Sequence, residues 1–191
     1  EIKLKDGIRL HEMTKVHLIN YAQNTGQPKV KPFVLIIARD TTHAAQLKER
    51  IESDEFFKGQ YKGKVIQVDS STKEDDVIRE LLSIEDPNKP TEIVIHVNML
   101  KEGWDVTNLY TIIPLRAANA RTLVEQSIGR GLRLPYGKRT GVEEVDRLSI
   151  VAHDRFQDIV DETNRADSIL KLKTYILEPE NEEQEVISVT S

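Results

Sequence analysis

Short apolar runs alternate with amphipathic stretches along most of the chain. Phe33 to Ala38 is continuously apolar, a pattern typical of a strand that is buried on both faces of a parallel sheet. Four further strands are predicted at residues 65–68, 92–97, 109–115 and 147–152, with helical stretches between them. Alternating strands and helices predict βαβ units, and therefore an α/β fold, a three-layer sandwich around a mainly parallel sheet.

The first 30 residues are less regular. Leu10, Met13, His17 and Tyr21 recur at helical spacing with Leu18 beside them, and the turn residues at 25–28 end the helix that this spacing predicts. We expect this helix to pack against a neighbouring domain or against the outside of the α/β domain. The helix after the first strand has a clearer start, because a carboxylate or a hydroxyl at residues 40–41 can cap it.

A stretch after the fourth predicted strand has two unlike faces. Read as a helix at about 100° per residue, it places Gln126, Arg130 and Arg133 on one side, nearly opposite an apolar stripe. Gly129 and Gly131 flank Arg130, although each glycine costs about 1 kcal/mol relative to alanine inside a helix. A large group that approaches the backbone would explain these glycines. We interpret the stretch as an arginine platform for an anion.

Composition excludes several classes of function. The chain has 191 residues with 27 basic and 32 acidic side chains, so its net charge of −5 gives no overall attraction to nucleic acid. Residues 116–139 differ, with six basic residues and one acidic residue. The absence of cysteine excludes disulfides, thiol catalysis and cysteine metal ligands, and fits a reducing compartment. Neither a transmembrane run of about 20 apolar residues nor a secretory signal is visible.

The sequence contains no self-sufficient active site. It has no Gly-x4-Gly-Lys-Ser/Thr phosphate loop, and the glycine-containing stretch at residues 59–65 has the wrong spacing. No metal-ligand spacing links the five histidines, and neither a nuclease centre nor a serine triad is supported. Because ligands gather at the carboxyl ends of parallel strands, the polar residues after each strand are the best site candidates.

Two stretches resemble a known family. Residues 98–106, Asn-Met-Leu-Lys-Glu-Gly-Trp-Asp-Val, and the pattern Gln126-x-x-Gly129-Arg130-x-x-Arg133 resemble motifs V and VI of superfamily 2 helicases. The strand and helix order around them is similar to the second RecA-like domain of such motors. Over roughly residues 8–164 the chain is similar to the Res subunit of type III restriction-modification enzymes. It departs from the commonest motif V at residues 97–98, where Val-Asn replaces Thr-Asp.

The resemblance implies a role for each candidate residue. ATP and Mg²⁺ would lie between two RecA-like domains, and the first domain would supply the phosphate loop and the metal ligands. Arg133 would be the arginine finger, Arg130 its partner on the phosphates, and Gln126 would couple the domains. The resemblance implies nucleotide contacts for Gly103, Asp105 and Gly129, and contacts to the nucleic-acid backbone for Arg39, Thr41, Thr42, Ser70 and Asn98.

The resulting expectation is the second motor domain of an ATP-dependent DNA translocase, inactive by itself. Because the first residue is Glu1 and not methionine, we expect a piece of a longer polypeptide. Its organisation would be a helical extension at 1–30, a RecA-like helicase C-terminal domain at 31–167, and a tail or hairpin at 168–191. The expected partners are double-stranded DNA, the first RecA-like domain and nuclease domain of the same parent chain, and a modification methyltransferase subunit, in the bacterial cytoplasm.

Two alternatives remain open. One is another superfamily 2 motor, such as an excision-repair helicase or a type I restriction motor. The other is a RecA-like fold used only as a binding module, which pairing of Arg130 and Arg133 with the domain's own carboxylates would favour. For Thr41, Thr42 and Ser70, helix capping explains the residue type as well as phosphate contact does. His43 and His153 are interpreted as structural.

Overall fold

Helices and strands alternate through the part of the chain that the computed structural model describes, which is residues 2–68, 79, 83–97, 106–115 and 135–151. The described α-helices are α1, Ile2–Thr25, α2, Thr41–Glu52, and the single-turn α3, Glu143–Asp146, and short 3-10 helices lie at Phe57–Gly59 and Ser83–Glu85. The strands are β1, Phe33–Ile37, β2, Val65–Val68, β3, Ile93–His96, β4, Leu109–Pro114, and β5, Ser149–Ile150.

The five strands form one sheet in the order β2-β3-β1-β4-β5, and every neighbouring pair is parallel. The first four match the predicted strands to within one residue at each end, whereas β5 is shorter than the predicted 147–152. Strand β1 lies at the centre and is buried at all five positions, as its continuous apolar run predicted. The predicted α/β fold with a parallel sheet is confirmed.

Helices α1 and α2 share one core with the sheet. This core includes Val34 and Ile36 of β1 and Ala38, which follows the strand directly; the three alternate along the extended chain and so face the same side. Ala44 and Ile51 of α2 are fully buried in it. The alternate residues of β1, at 33, 35 and 37, are buried as well, so the central strand is shielded on both faces.

The buried face of α1 differs from the predicted one. The predicted stripe included Met13, which is 53% exposed, whereas the face that packs inward contains Leu4, Ile8 and His11. Leu18, which lies beside the predicted stripe, is fully buried. The spacing predicted this face only in part, because the buried face also includes polar and small residues, which do not form an apolar stripe. Helix α1 packs on β4 and β1 of this sheet. Among the described helices, none is both long enough and apolar enough to cross a membrane.

Close packing of α1 on the sheet depends on Gly7. A Cβ atom at this position would lie 2.3 Å from Cδ1 and 2.7 Å from Cγ1 of Ile113, which is fully buried in β4. Such distances are far inside van der Waals contact, and the buried isoleucine has little room to move. The glycine therefore sets how near the helix axis can come to β4.

We predict that Gly7→Ala destabilises the protein, although alanine is the better helix former by about 1 kcal/mol. The steric cost of overpacking, about 1–3 kcal/mol, opposes this gain. Ile113→Val removes the clashing Cδ1, so in a double-mutant cycle measured by chemical denaturation the two changes together should cost less than their sum. A stabilised Gly7→Ala variant, or strict additivity, would contradict the close approach.

Candidate functional site

Three connections of the sheet reach one edge, at the carboxyl ends of the strands. Backbone hydrogen bonds continue past the strands here: Ala38 N donates to His96 O at 2.9 Å, and Leu115 N donates to Ile37 O at 2.9 Å. Val97 N donates to Val68 O at 3.1 Å. The segments that follow β1, β3 and β4 in sequence therefore all start from this edge, where parallel α/β sheets bind ligands.

Most of the predicted site residues lie outside the described part of the chain. The exceptions are Arg39, Thr41 and Thr42, which lie together between β1 and the first turn of α2. The structure thus brings these three to the carboxyl edge, as predicted. The other candidates, which stay predictions, are Ser70, Asn98, Gly103, Asp105, Gln126, Gly129, Arg130 and Arg133.

Asp40 starts α2. Its backbone is extended, and its carboxylate accepts a hydrogen bond from His43 N at 2.7 Å. This confirms one of the two predicted caps, because the aspartate satisfies a backbone donor that the helix leaves open. Thr41 and Thr42 are exposed, and neither forms a hydrogen bond with another described side chain. Their hydroxyl groups are therefore available to a ligand.

His43 forms hydrogen bonds with Arg39, the residue that precedes the cap Asp40. Its Nδ1 accepts from the backbone N of Arg39 at 3.2 Å and from Nε of the same arginine at 3.4 Å. Burial lowers the pKa of His43, the charge of Arg39 lowers it further, and Asp40 offsets part of this effect. The imidazole is therefore neutral near pH 7, with Nδ1 as acceptor and the proton on Nε2. The prediction that His43 is structural did not include this contact with Arg39.

His96 ends β3, directly before the segment that resembles motif V. It is 2% exposed, and neither ring nitrogen has a hydrogen-bond partner among the described residues. Burial lowers its pKa to about 4, which keeps the ring neutral at physiological pH. The neutral imidazole of His96 therefore places no charge beneath the carboxyl edge of the sheet.

Shortly after the segment that resembles motif VI, Tyr136 packs against helix α1. Tyr136 lies 5.4 Å from Tyr21, measured between ring centroids, and its hydroxyl donates to Pro28 O at 3.1 Å. Both tyrosines pack against a small core of Leu18 and Tyr110. The chain just after residues 126–134 is therefore held at the carboxyl-terminal end of α1.

A polar cluster at the opposite, amino-terminal edge of the sheet was not predicted. Glu92, just before β3, accepts from Lys15 at 2.9 Å and from Lys64 at 2.7 Å, and its carboxylate lies 3.2 Å from Nε2 of His11. Glu12 of α1 accepts from Lys15 at 3.1 Å and also from the hydroxyl of Tyr61. No local sequence signal could show it, because Glu92 lies 77 and 81 positions from its partners on α1.

This cluster could be mistaken for a metal site. Potential ligand atoms of His11, Glu12 and Glu92 lie within 4.8 Å of one another. However, the Lys15 ammonium already contacts both carboxylates, and a second ammonium contacts Glu92. A divalent cation would have to displace or repel these charges. We therefore interpret the cluster as a structural ion-pair network that fastens α1 to the sheet.

Relatives of known name support the family resemblance. Res subunits of type III restriction-modification enzymes are 28–40% identical to the chain over the aligned stretches. The EcoPI Res subunit of Escherichia phage P1 is 28% identical over an alignment of 152 positions, and the match takes in 58% of this chain and 15% of that protein. The chain is similar to part of a type III Res subunit. The resemblance predicted from the two motifs is thereby confirmed, and no protein-family model matches the chain.

Other similarities are broader. A protein of Saccharomyces cerevisiae named as putative ATP-dependent helicase IRC3 is 28% identical over 130 residues, 66% of this chain and 17% of that protein. Domain 2 of the DEAD-box helicase Mss116p, solved bound to an RNA duplex, matches with a TM-score of 0.50 and 15% identity, covering 92% of this chain and 62% of that one. This confirms the predicted RecA-like fold. The chain spans less than a fifth of the length of these curated relatives.

We predict that Glu92→Gln destabilises the protein by roughly 2–4 kcal/mol near pH 7, somewhat below the usual cost of breaking a buried ion pair because the lysines are partly exposed. Burial alone would raise the pKa of Glu92, but His11, Lys15 and Lys64 together hold it far below its usual range. The stabilisation is therefore complete above the unfolded-state pKa of about 4.3 and is lost as the pH falls below it.

Urea denaturation at several pH values measures this effect. The stability difference between wild type and Glu92→Gln should shrink steadily below about pH 4.3. Glu55→Gln is the matched control, since Glu55 pairs with Arg50 at 2.7 Å from an exposed position and should cost less than about 1 kcal/mol. Equal effects of the two variants, or a difference independent of pH, would contradict the network.

Proposed function

We propose that the chain is the second motor domain of an ATP-dependent DNA translocase of the type III Res kind. The observation that supports this most is the similarity to Res subunits, in a chain whose described strands form one parallel sheet. In that sheet, β1, β3 and β4 all end at the edge from which the proposed contact segments continue. One edge would therefore serve both nucleotide and nucleic acid.

The proposed nucleotide chemistry is divided between two domains. A first RecA-like domain of the parent chain would supply the phosphate loop and the ligands for Mg²⁺. Arg133 would stabilise the charge that develops on the γ-phosphate, and Arg130 would hold the phosphates beside it. Gln126 would couple the two domains, and Gly103, Asp105 and Gly129 would contact the nucleotide. This division explains why the sequence has paired arginines but no phosphate loop.

The proposed nucleic-acid contacts use polar groups around the start of α2. Arg39, Thr41 and Thr42 are exposed and lie next to one another at the carboxyl edge. Arginine and hydroxyl donors bind phosphate oxygens without reading bases, which suits a motor that moves along any sequence. Ser70 and Asn98 would extend the same contacts. The substrate would be double-stranded DNA, and a nuclease domain and a modification methyltransferase subunit would act with the motor.

A second candidate is a superfamily 2 helicase outside restriction systems. The match to the yeast helicase supports it, because that match covers a larger share of this chain than the EcoPI match does. Both candidates use the same arginines and the same edge. They differ in the domains that accompany the motor, so a search of the full parent sequence for nuclease acids distinguishes them.

We expect this chain alone to show no ATP hydrolysis above background in a phosphate-release assay, with or without DNA. The physical reason is that half of the proposed nucleotide site belongs to another domain. Reproducible turnover by the purified 191-residue chain, abolished by Arg133→Ala, would refute the proposed division of the site.

In the intact parent protein, Arg133→Ala should lower ATP turnover by roughly 10³- to 10⁵-fold, the usual worth of an arginine finger. Nucleotide binding, measured with a fluorescent ATP analogue, should stay near the wild-type level because the finger acts on the transition state. Arg139→Ala, an exposed arginine outside the motif, is the control and should leave turnover unchanged. Loss of binding with normal turnover per bound ATP would exclude the finger role.

A further inference from the structure

A cleft of about 440 Å³ opens beside the candidate site, between the first turn of α1 and the side of α2. Leu4, Leu47 and Leu115 provide its apolar lining. Leu4 lies near the start of α1, Leu47 lies in the middle of α2, and Leu115 follows β4 at the carboxyl edge. The cleft is therefore continuous with the edge at which Arg39 lies, but it reaches beyond the residues proposed so far.

The polar lining of the cleft consists of hydrogen-bond donors. Arg39 and Arg50 contribute guanidinium groups, and Gln46 contributes an amide from an exposed position of α2. His43 adds a fourth donor, because its Nδ1 already accepts from Arg39 and its proton is therefore on Nε2. These donors occupy successive turns of one helix side, at positions 43, 46 and 50.

Carboxylates near the cleft offset this charge only in part. No aspartate or glutamate is among the described residues that line it. Asp40 is engaged at the cap of α2, where it accepts from the backbone. Glu55 pairs with Arg50 at 2.7 Å, but its side chain is 81% exposed, and such pairs contribute little and exchange readily for other anions. The cleft therefore has a net positive lining.

We propose that this cleft binds the sugar-phosphate backbone of a nucleic-acid strand and extends the contact surface along α2. Phosphodiester oxygens only accept hydrogen bonds, and they match a lining whose polar groups can all donate. Positions 43 to 50 span about 10 Å along the helix, close to three steps between successive phosphates of one strand, at about 3.4 Å of duplex axis per step. The three leucines can make apolar contacts with the carbon atoms of the sugars. A free phosphate has no such atoms.

This inference rests on the proposed function, because it assigns to Gln46 and Arg50 contacts with the nucleic acid on which the proposed motor would act. His43 is a positioning residue in it, because it holds Arg39 at the junction of the edge and the cleft. Salt dependence separates such backbone binding from base recognition, because the removal of one phosphate-binding cation lowers the slope of log affinity against log salt by about 1.

The test is binding of a labelled DNA duplex to the 191-residue chain, followed by fluorescence anisotropy from about 50 to about 200 mM salt. Gln46→Glu places a carboxylate in the cleft, and Arg50→Ala removes a cation. Each should weaken binding on the order of tenfold at about 50 mM salt, and the arginine variant should lower the salt slope by about 1. Duplexes of unrelated sequence should respond equally.

Matched controls make the same charge changes elsewhere. Gln23→Glu alters an exposed position near the far end of α1, and Arg9→Ala alters a half-exposed arginine that pairs with Asp6 at 3.6 Å. Both should bind DNA as the wild type does. Thermal melts check folding, and because Gln46 is exposed, Gln46→Glu remains informative even if Arg50→Ala is unstable.

Three results would overturn the proposal. Wild-type affinity in Gln46→Glu and Arg50→Ala, with weaker binding in Arg39→Ala, would exclude the cleft and leave the proposed function intact. The absence of DNA binding by the wild-type chain at low salt would refute both. Displacement of the duplex by inorganic phosphate at constant ionic strength would show a small-anion site in place of a strand-binding cleft.

Discussion

The parallel pairing of β1 with β3 on one side and β4 on the other is the constraint on which the rest of the structure depends. Each residue of the buried central strand from Val34 to Ile37 has both neighbours in register, with Val34 opposite Ile93 and Thr111. Since no water reaches these backbone groups, the pairing must be complete, and it extends past the strand ends to Ala38 and Leu115. The segments that follow the three strands thus start from a common edge.

Helix α1 stabilises this arrangement from one face. At its start Gly7 allows contact with Ile113, in its middle a network of charged side chains binds Glu92 at the opposite edge, and near its end Tyr21 meets Tyr136. The helix therefore spans the sheet from its carboxyl edge to its amino edge. The charged network is remote from the candidate site, so the groups that stabilise α1 do not compete with those that would bind a ligand.

In the described structure, the carboxyl edge of the sheet combines neutral histidines with a cationic arginine. His96 is neutral because burial makes its charged form costly, and His43 is neutral because burial and the charge of Arg39 act in the same direction. In the described part of the chain, the positive charge at this edge therefore comes from Arg39, whose guanidinium stays protonated under any physiological condition. Such an edge attracts anions without depending on pH, which suits the proposed contacts with phosphate groups.

The amino-acid pattern by itself determined the sheet, the position of its strands and the cap of α2, because continuous apolar runs and a capping aspartate are local signals. The motifs at residues 98–106 and 126–133 also predicted the similarity to Res subunits, although the described structure leaves out most of the first and all of the second. Tertiary structure alone decided which face of α1 is buried and brought Glu92 to His11, 81 residues away. It also formed the cleft, since Leu4, Leu47 and Leu115 share no sequence pattern and meet only when the sheet has folded.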